Sequence, residues 1–167
     1  FRQMPTFGRS TIRCFHANVS EMKKLAARDF EDILQCLMPA LEGLLPEPHN
    51  TILLDLWFTL ATWHAYAKLR MHSSSTVRRF TNITTELGSQ AQRFIRTTCA
   101  AFETYELPKE TTQRARRDAQ IKSTSGGTSS SSGKKRKSWN TATYKYHSLG
   151  DYPDVILQFG TTDLYST

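Results

Sequence analysis

The sequence predicts an all-α fold: a three-helix antiparallel bundle, then a disordered basic linker and a short C-terminal docking segment. Three observations lead to this prediction. Apolar residues recur about every 3.6 positions in three long segments, short Pro- or Ser-rich connections separate those segments, and a Ser/Thr/Gly-rich stretch without apolar residues follows them. The predicted domains are an irregular tail (1–18), a helical bundle (19–107), the linker (108–141) and a C-terminal segment (142–167).

The first helix is predicted to run from a cap at Ser20 to about Leu45. Its apolar stripe lies opposite a charged face. Pro39 lacks a backbone donor, so the helix should bend there or end early. The sequence "LLPEPHN" then predicts a turn, because a proline disfavours helical conformation in the residue before it.

The second helix is predicted from Asn50 or Thr51 to about His72, and the third from about Thr76 to Tyr105. Residues 52–60 are apolar on nearly every side, which places the second helix at the centre of the bundle. The "HSSST" sequence supplies caps for the third helix. Gly88 is a candidate break, since glycine costs about 1 kcal/mol relative to alanine inside a helix.

The formal charge of +7 belongs to one segment. Residues 108–141 hold nine bases and two acids, whereas the remainder holds thirteen of each. The sequence "STSGGTSSSSGKKRKS" has no apolar residue whose burial could offset the entropy lost on ordering, so residues 110–140 are predicted to be flexible. Within this range, "ETTQRARRDAQIK" also fits a polar helix. The run 134–137 fits a nuclear-import signal or a contact with nucleic-acid phosphates, and a solubilising linker is the alternative. Its members are Lys134, Lys135, Arg136 and Lys137.

After the linker, "WNTATYKYHSL" is predicted to be extended, and a short helix should cover Pro153–Phe159. Asp151 is the expected N-cap and Gly160 the expected stop. The apolar face of this helix, which includes Ile156, is too small to fold alone. It should therefore dock on the bundle or on another part of a larger protein.

Two further groups of residues allow a functional and a structural interpretation. Asp29, Glu31 and Asp32 lie within one helical turn, where acids can hold a divalent metal, but a solvated charged face is the favoured interpretation. His64 shares a stripe with apolar residues and has no second ligand four positions away, which favours a hydrogen-bonded core histidine over a metal ligand or base.

The C-terminal sequences "HSLGDY" and "FGTTDLYST" would suit a polar loop that lines a catalytic cleft, or ordinary turn chemistry. Their polar residues are His147, Asp151, Thr161, Thr162 and Asp163. The sequence has no nucleophile motif, phosphate-binding loop, zinc-ligand spacing or convincing membrane span, so no catalytic residue, metal site, small-molecule substrate or membrane partner is assigned. The three widely spaced cysteines favour a reducing intracellular compartment.

Several sequences occur together in an order that resembles one family. They are "RDFEDILQC", "EGLLPEPHN", "WHAYAKLRMH", "TTC", "ELPKE" and "HSLGDY…FGTTDLYST". Across residues 28–167 the chain resembles the C-terminal part of the Plavaka-type DNA transposases of mushroom-forming fungi. The resemblance rests on the combination of motifs rather than on any single one.

The resemblance implies a nuclear protein derived from a cut-and-paste transposase, whose acids hold two divalent metals such as Mg²⁺ in an RNase-H-like core. The first of those acids would lie upstream of Phe1, and a later Glu/His segment would complete the set. The chain is therefore expected to be a fragment without catalysis or cofactor of its own, whose partners are DNA, through the basic linker, and the remainder of the core. Leu164 and Pro153 depart from the family pattern, which suggests an inactive copy. The alternatives are a host-adopted module that binds nucleic acid or protein, and a cytoplasmic location.

Overall fold

A computed structural model describes residues 1, 3–8, 12–15, 17–19, 22, 25–125 and 133–161. Helices dominate these residues, and the sheet within them is a two-stranded ladder. The prediction of a mainly α-helical fold is confirmed.

The first predicted helix is shorter than expected and divided in two. Helix α1 covers Ala27–Cys36 and helix α2 covers Met38–Leu41, with Leu37 between them. Pro39 lies in the first turn of α2, where its missing N–H leaves no intrahelical bond unmade, so the chain restarts a helix there. The expected early end is confirmed, whereas the expected cap at Ser20 lies outside the described residues.

Helices α3 (His49–Ala67) and α4 (Ser74–Phe94) form the main packing unit. They are antiparallel, because Asp55 lies near Arg93 at one end and Trp63 donates to Thr84 further along. Phe80, which is fully buried, lies in the core between them. The core residues on the two helices are Leu56, Trp63, Ala67, Val77, Phe80, Leu87 and Ala91.

Helix α4 differs from its predicted form at three places. It begins two residues early, because Ser73 caps it by accepting a hydrogen bond from the N–H of Thr76 at 3.3 Å. It continues through Gly88, so the expected break is wrong; packing of the flanking Leu87 and Ala91 outweighs the helix propensity of one glycine. Past Phe94 the backbone widens into a π-helical turn at Ile95–Cys99, and the helix does not reach Tyr105, so its predicted end is wrong.

The predicted disordered linker is partly ordered. Helix α5 covers Pro108–Ser125, and strand β2 (Arg136–Lys137) pairs antiparallel with strand β1 (Thr104–Tyr105). Helix α5 agrees with the alternative of a polar helix, whereas the expected flexibility is wrong for α5 and β2. Composition alone does not show that Glu106 binds both Arg114 of α5 and the N–H of Lys135 beside β2. Residues 126–132 lie outside the described residues.

The C-terminal segment docks on the helical pair. It consists of α6 (Tyr144–His147), a 3-10 turn (Ser148–Asp151) and α7 (Tyr152–Phe159), so the extended conformation expected here is wrong from residue 144 onwards. Ile156 is 3% exposed within the core of α3 and α4, and the ring of Tyr152 lies 4.9 Å from that of Trp63. Helix α7 ends at Gly160 with φ +74°, as predicted.

Within the part of the chain that the structure describes, no helix is both long and apolar enough to cross a lipid bilayer.

Candidate nucleic-acid interface

The most strongly bound charge among the described residues is the carboxylate of Glu106, between β1 and α5. Arg114 donates to it through Nε at 3.0 and 3.2 Å and through Nη2 at 2.9 Å. The backbone N–H of Lys135 donates to the same carboxylate at 3.2 Å, and Lys137 Nζ lies 3.9 Å away. Arg114 also donates to the carbonyl oxygen of Gly133 at 2.7 Å. Glu106 therefore joins α5 to the strand that carries the basic run.

These contacts determine the charge state of Glu106. Hydrogen bonds from Arg114 are the largest influence, with further contributions from the N–H of Lys135 and the charge of Lys137, and together they outweigh the opposing effect of burial. They lower the pKa of Glu106 to about 2. The carboxylate is consequently ionised at any physiological pH.

Strand β2 presents the basic run in an extended conformation. Thr104 pairs with Lys137 and Tyr105 with Arg136. Two further bonds reinforce this pairing: Thr104 Oγ1 donates to the carbonyl of Lys137, and the N–H of Glu106 donates to the carbonyl of Lys135, both at 2.9 Å. All four bases of the run (134–137) are exposed.

Two of these four cations have acidic neighbours in the same chain. Arg136 lies 4.0 Å from Glu103, and Lys137 lies 3.9 Å from Glu106. Both separations are at the outer limit of an ion pair, and the side chains of Arg136 and Lys137 are 56% and 49% exposed. The Arg136–Glu103 pair is exposed on both sides and contributes roughly 0–1 kcal/mol, so a phosphate can compete for Arg136. Glu106 is buried, but at 3.9 Å Lys137 Nζ lies beyond hydrogen-bond distance from it, so the half-exposed Lys137 can also approach a phosphate.

Helix α5 adds further positive charge beside the strand. Lys109, Arg116 and Arg117 are exposed, whereas Arg114 is committed to Glu106. The exposed bases of α5, of β2 and of the two residues before β2 are together called the basic surface. Its members are Lys109, Arg116, Arg117, Lys134, Lys135, Arg136 and Lys137.

A cavity of about 280 Å³ lies at the end of β2. Its walls are mainly apolar and include Phe94, Phe102 and Trp139, and Lys137 and Ser138 also line it. The ring of Trp139 meets that of Phe94 edge-on at 5.6 Å and is 41% exposed. An open aromatic wall therefore directly adjoins the basic surface.

The three acids of α1 do not form the solvated face that their spacing suggested. Asp32 is buried and accepts a hydrogen bond from Arg13 Nε at 2.7 Å, and Arg13 also binds Asp29 at 2.8 Å. Glu31 pairs with Lys68 of α3 at 2.8 Å. The solvated interpretation is wrong for Asp32 because Arg13, nineteen residues away in sequence, covers it. Among the described residues, no three His, Cys, Asp or Glu side chains lie close enough to hold a metal ion.

Among the described residues, the predicted histidine and loop residues do not lie together in a second site. His64 is half-buried and is not one of the core residues, and burial lowers its pKa. His147 ends α6 against the ring of Tyr146, and Asp151 is exposed at the start of α7. Thr162 and Asp163 lie outside the described residues.

The sequence interpretation missed Glu106, Arg114 and Trp139. The eight-residue separation of Glu106 and Arg114 spans a turn and part of a helix, so no periodic pattern signals their pairing. A signal for Trp139 was present, since a tryptophan two residues after four consecutive bases combines a stacking surface with positive charge. No protein-family model, curated protein or solved structure matches this chain.

Proposed function

We propose that this chain is a DNA-positioning region of a Plavaka-type transposase, which holds the DNA backbone on its basic surface and has no catalytic site of its own. On this proposal the helices form a three-helix antiparallel bundle that acts as a scaffold. The order of the family-like sequences supports the assignment to that family, and one of them, "ELPKE", contains Glu106. Any divalent metal belongs to the intact transposase rather than to this region.

The observation that carries the proposal is that the excess charge lies on exposed side chains whose backbone is held in place. From residue 103 to residue 141, nine bases face four acids, which leaves an excess of five positive charges even when Glu103 and Glu106 are included. Because β2 is bound to β1 and α5 is bound to Glu106, little ordering entropy has to be lost when phosphates bind.

Binding of this kind is electrostatic and independent of base sequence. Each phosphate that the protein neutralises releases counterions, so the logarithm of the affinity falls with the logarithm of the salt concentration, with a slope of about −0.9 per contact. Within the described residues the basic run lies on a strand and in its flanks, not on a helix that enters a DNA groove. We therefore expect similar affinities for unrelated duplex sequences.

The test compares two triple variants that each remove three exposed positive charges. K134A/K135A/R136A removes charge from the basic surface, whereas R70A/R78A/R79A removes it from α4 and the loop before it. Lys137 is kept because it lines the cavity. Fluorescence anisotropy with a 20-base-pair duplex, at salt concentrations from 50 to 200 mM, gives the salt slope of each protein.

We expect the first variant to reduce the salt slope by about two to three, and the control to change it by less than about one. Equal losses in the two variants, or no duplex binding by the unmodified chain at 50 mM salt, would overturn the proposal. Metal-dependent nicking of plasmid DNA by the purified chain would contradict the absence of catalysis.

The second candidate is a host-adopted nuclear module, and the extended, exposed conformation of the basic run favours it. Short runs rich in Lys and Arg are typical of nuclear-localisation signals, and a two-stranded ladder leaves the outer edge of β2 accessible among the described residues. A fluorescent fusion should accumulate in the nucleus and lose this accumulation in K134A/K135A/R136A. Equal distributions of the two fusions would contradict nuclear import through this run.

A further inference from the structure

The cavity at the end of β2 has the features of a preformed site. Two residues of the π-helical turn, Thr98 and Cys99, form part of its wall. A π-helical turn contains more residues than an α-helical turn and is therefore wider. Thr98 of that turn is buried, and its Oγ1 lies 3.2 Å from Nδ1 of His49. The rings of His49 and Phe102 pack edge-on, with their centroids 5.1 Å apart. Contacts from α3 therefore hold two wall residues in place, and no rearrangement is needed to open the space.

The chemistry of the walls selects for a flat, apolar group. Phe94 and Trp139 present aromatic rings, and burial raises the pKa of the Cys99 thiol, which keeps this part of the wall uncharged. The volume of about 280 Å³ is slightly below the roughly 300–1,000 Å³ of pockets for drug-sized ligands. It suits one ring system better than a folded segment of protein.

The charge beside the cavity indicates what should be attached to that ring. Lys137 lines the cavity with its side chain 49% exposed, and the exposed Lys135 and Arg136 precede it in the chain. A ring joined to phosphates would place its apolar part against Trp139 and its anionic part against these cations. Stacking on an aromatic side chain beside a positively charged track is how proteins bind unpaired nucleotides.

We propose that this aromatic pocket binds one unpaired base of single-stranded nucleic acid, with Trp139 as the stacking surface and Lys137 on the adjacent phosphate. The base has to be unpaired, because a paired base lies inside the duplex stack and cannot enter a pocket. The inference rests on the proposed function, since the basic surface supplies the phosphate contacts. It adds a contact that duplex binding does not use.

The test measures Trp139→Ala against three fluorescent probes: a twelve-nucleotide thymidine strand, the corresponding uridine strand and the 20-base-pair duplex. Loss of one base stack is worth about 1–3 kcal/mol, so single-strand affinity should fall by roughly 5- to 150-fold, while duplex affinity changes less than about twofold. Trp139→Phe keeps an aromatic ring and should retain most of the affinity. A loss confined to the thymidine or the uridine strand identifies DNA or RNA as the ligand.

A second variant keeps the inference testable if loss of Trp139 disturbs folding. Cys99→Phe fills the cavity from the π-helical turn and leaves Trp139 in place, so it should also weaken single-strand binding and spare duplex binding. Unchanged single-strand affinity in Trp139→Ala would overturn the inference; if that variant does not fold, unchanged affinity in Cys99→Phe would do so, as would equal losses on single strand and duplex.

The two proposals fail in different ways. If K134A/K135A/R136A weakens duplex binding but Trp139→Ala leaves single-strand binding unchanged, the basic surface stands and the base pocket is refuted. If the unmodified chain binds no duplex at 50 mM salt yet shows Trp139-dependent binding of single strands, the duplex-positioning role is refuted and the pocket stands.

Discussion

Replacement of Ile156 by alanine tests whether the C-terminal segment belongs to the core of this chain. Ile156 lies on α7 and is 3% exposed, whereas its neighbour Leu157 is 69% exposed. The sequence left open whether the apolar face of α7 docks on the bundle or on another part of a larger protein. The two alternatives predict different costs for the same substitution.

The expected cost follows from burial. Ile156→Ala removes three carbon atoms, which at about 0.8 kcal/mol per buried methylene amounts to about 2.4 kcal/mol of lost transfer free energy. The cavity left behind brings the total to about 3–5 kcal/mol. Since a domain of this size is stable by roughly 5–15 kcal/mol, this loss is easily measured.

Urea denaturation followed by far-UV circular dichroism measures the free energy of unfolding. Near-UV circular dichroism reports on the contact between the rings of Trp63 and Tyr152, 4.9 Å apart, and therefore on the docking of α7. The control is Leu157→Ala, which removes a similar side chain from the exposed face of the same helix and should change the free energy of unfolding by less than about 0.5 kcal/mol. Equal effects of Ile156→Ala and Leu157→Ala on stability and on the near-UV signal would refute the docking of α7 on α3 and α4.

Three further substitutions probe the backbone and the buried acid. Gly88→Ala should raise the free energy of unfolding by about 1 kcal/mol in a urea titration, because Gly88 is inside α4 and a Cβ there meets nothing within 4 Å; a loss of stability would contradict this. Gly160→Ala should lower the free energy of unfolding by about 1–2 kcal/mol through backbone strain alone, since φ is +74° and a Cβ again meets nothing within 4 Å. An unchanged midpoint of the urea transition would show that α7 ends differently. Glu106 has a pKa lowered from 4.5 to about 2, so the stability it contributes is fully present above about pH 4.5 and is lost as the pH falls through about 2. The chemical shift of the Lys135 amide proton should change with the protonation of Glu106 in the unmodified protein, because this N–H donates to the carboxylate. The pH-dependent change should be absent in Glu106→Gln. A titration midpoint near pH 4.5 in the unmodified protein would contradict the ion pair.

The local features of the fold could be predicted because they depend on residues close together in the chain. The 3.6-residue period locates α3 and α4, and the Ser-rich sequence supplies the cap of α4; α3 begins at His49 without a side-chain cap and ends at Ala67, five residues before its predicted end. Pro39 explains the division between α1 and α2, and Gly160 ends α7. In each case the cause lies within a few residues of its effect. The basic run was likewise identified from consecutive residues alone.

The errors occurred where a distant residue changes the environment of a local pattern. Asp32 has the sequence context of a solvated acid, but Arg13 covers it. Residues 108–125 have the composition of a disordered linker, yet Arg114 within them is bound to Glu106. The composition of a segment indicates the conformational entropy that is lost when the segment becomes ordered. It does not indicate whether a residue elsewhere in the chain forms contacts that offset this loss.

The sequence by itself determined that the chain is mainly helical and that its positive charge is concentrated between residues 108 and 141. The tertiary structure alone decided that this charge is partly held on a strand beside an aromatic pocket, because Glu106, Arg114 and the wall residues meet only after folding. Helix periodicity is a property of one segment, whereas a binding surface depends on contacts between segments whose separation along the chain follows no period.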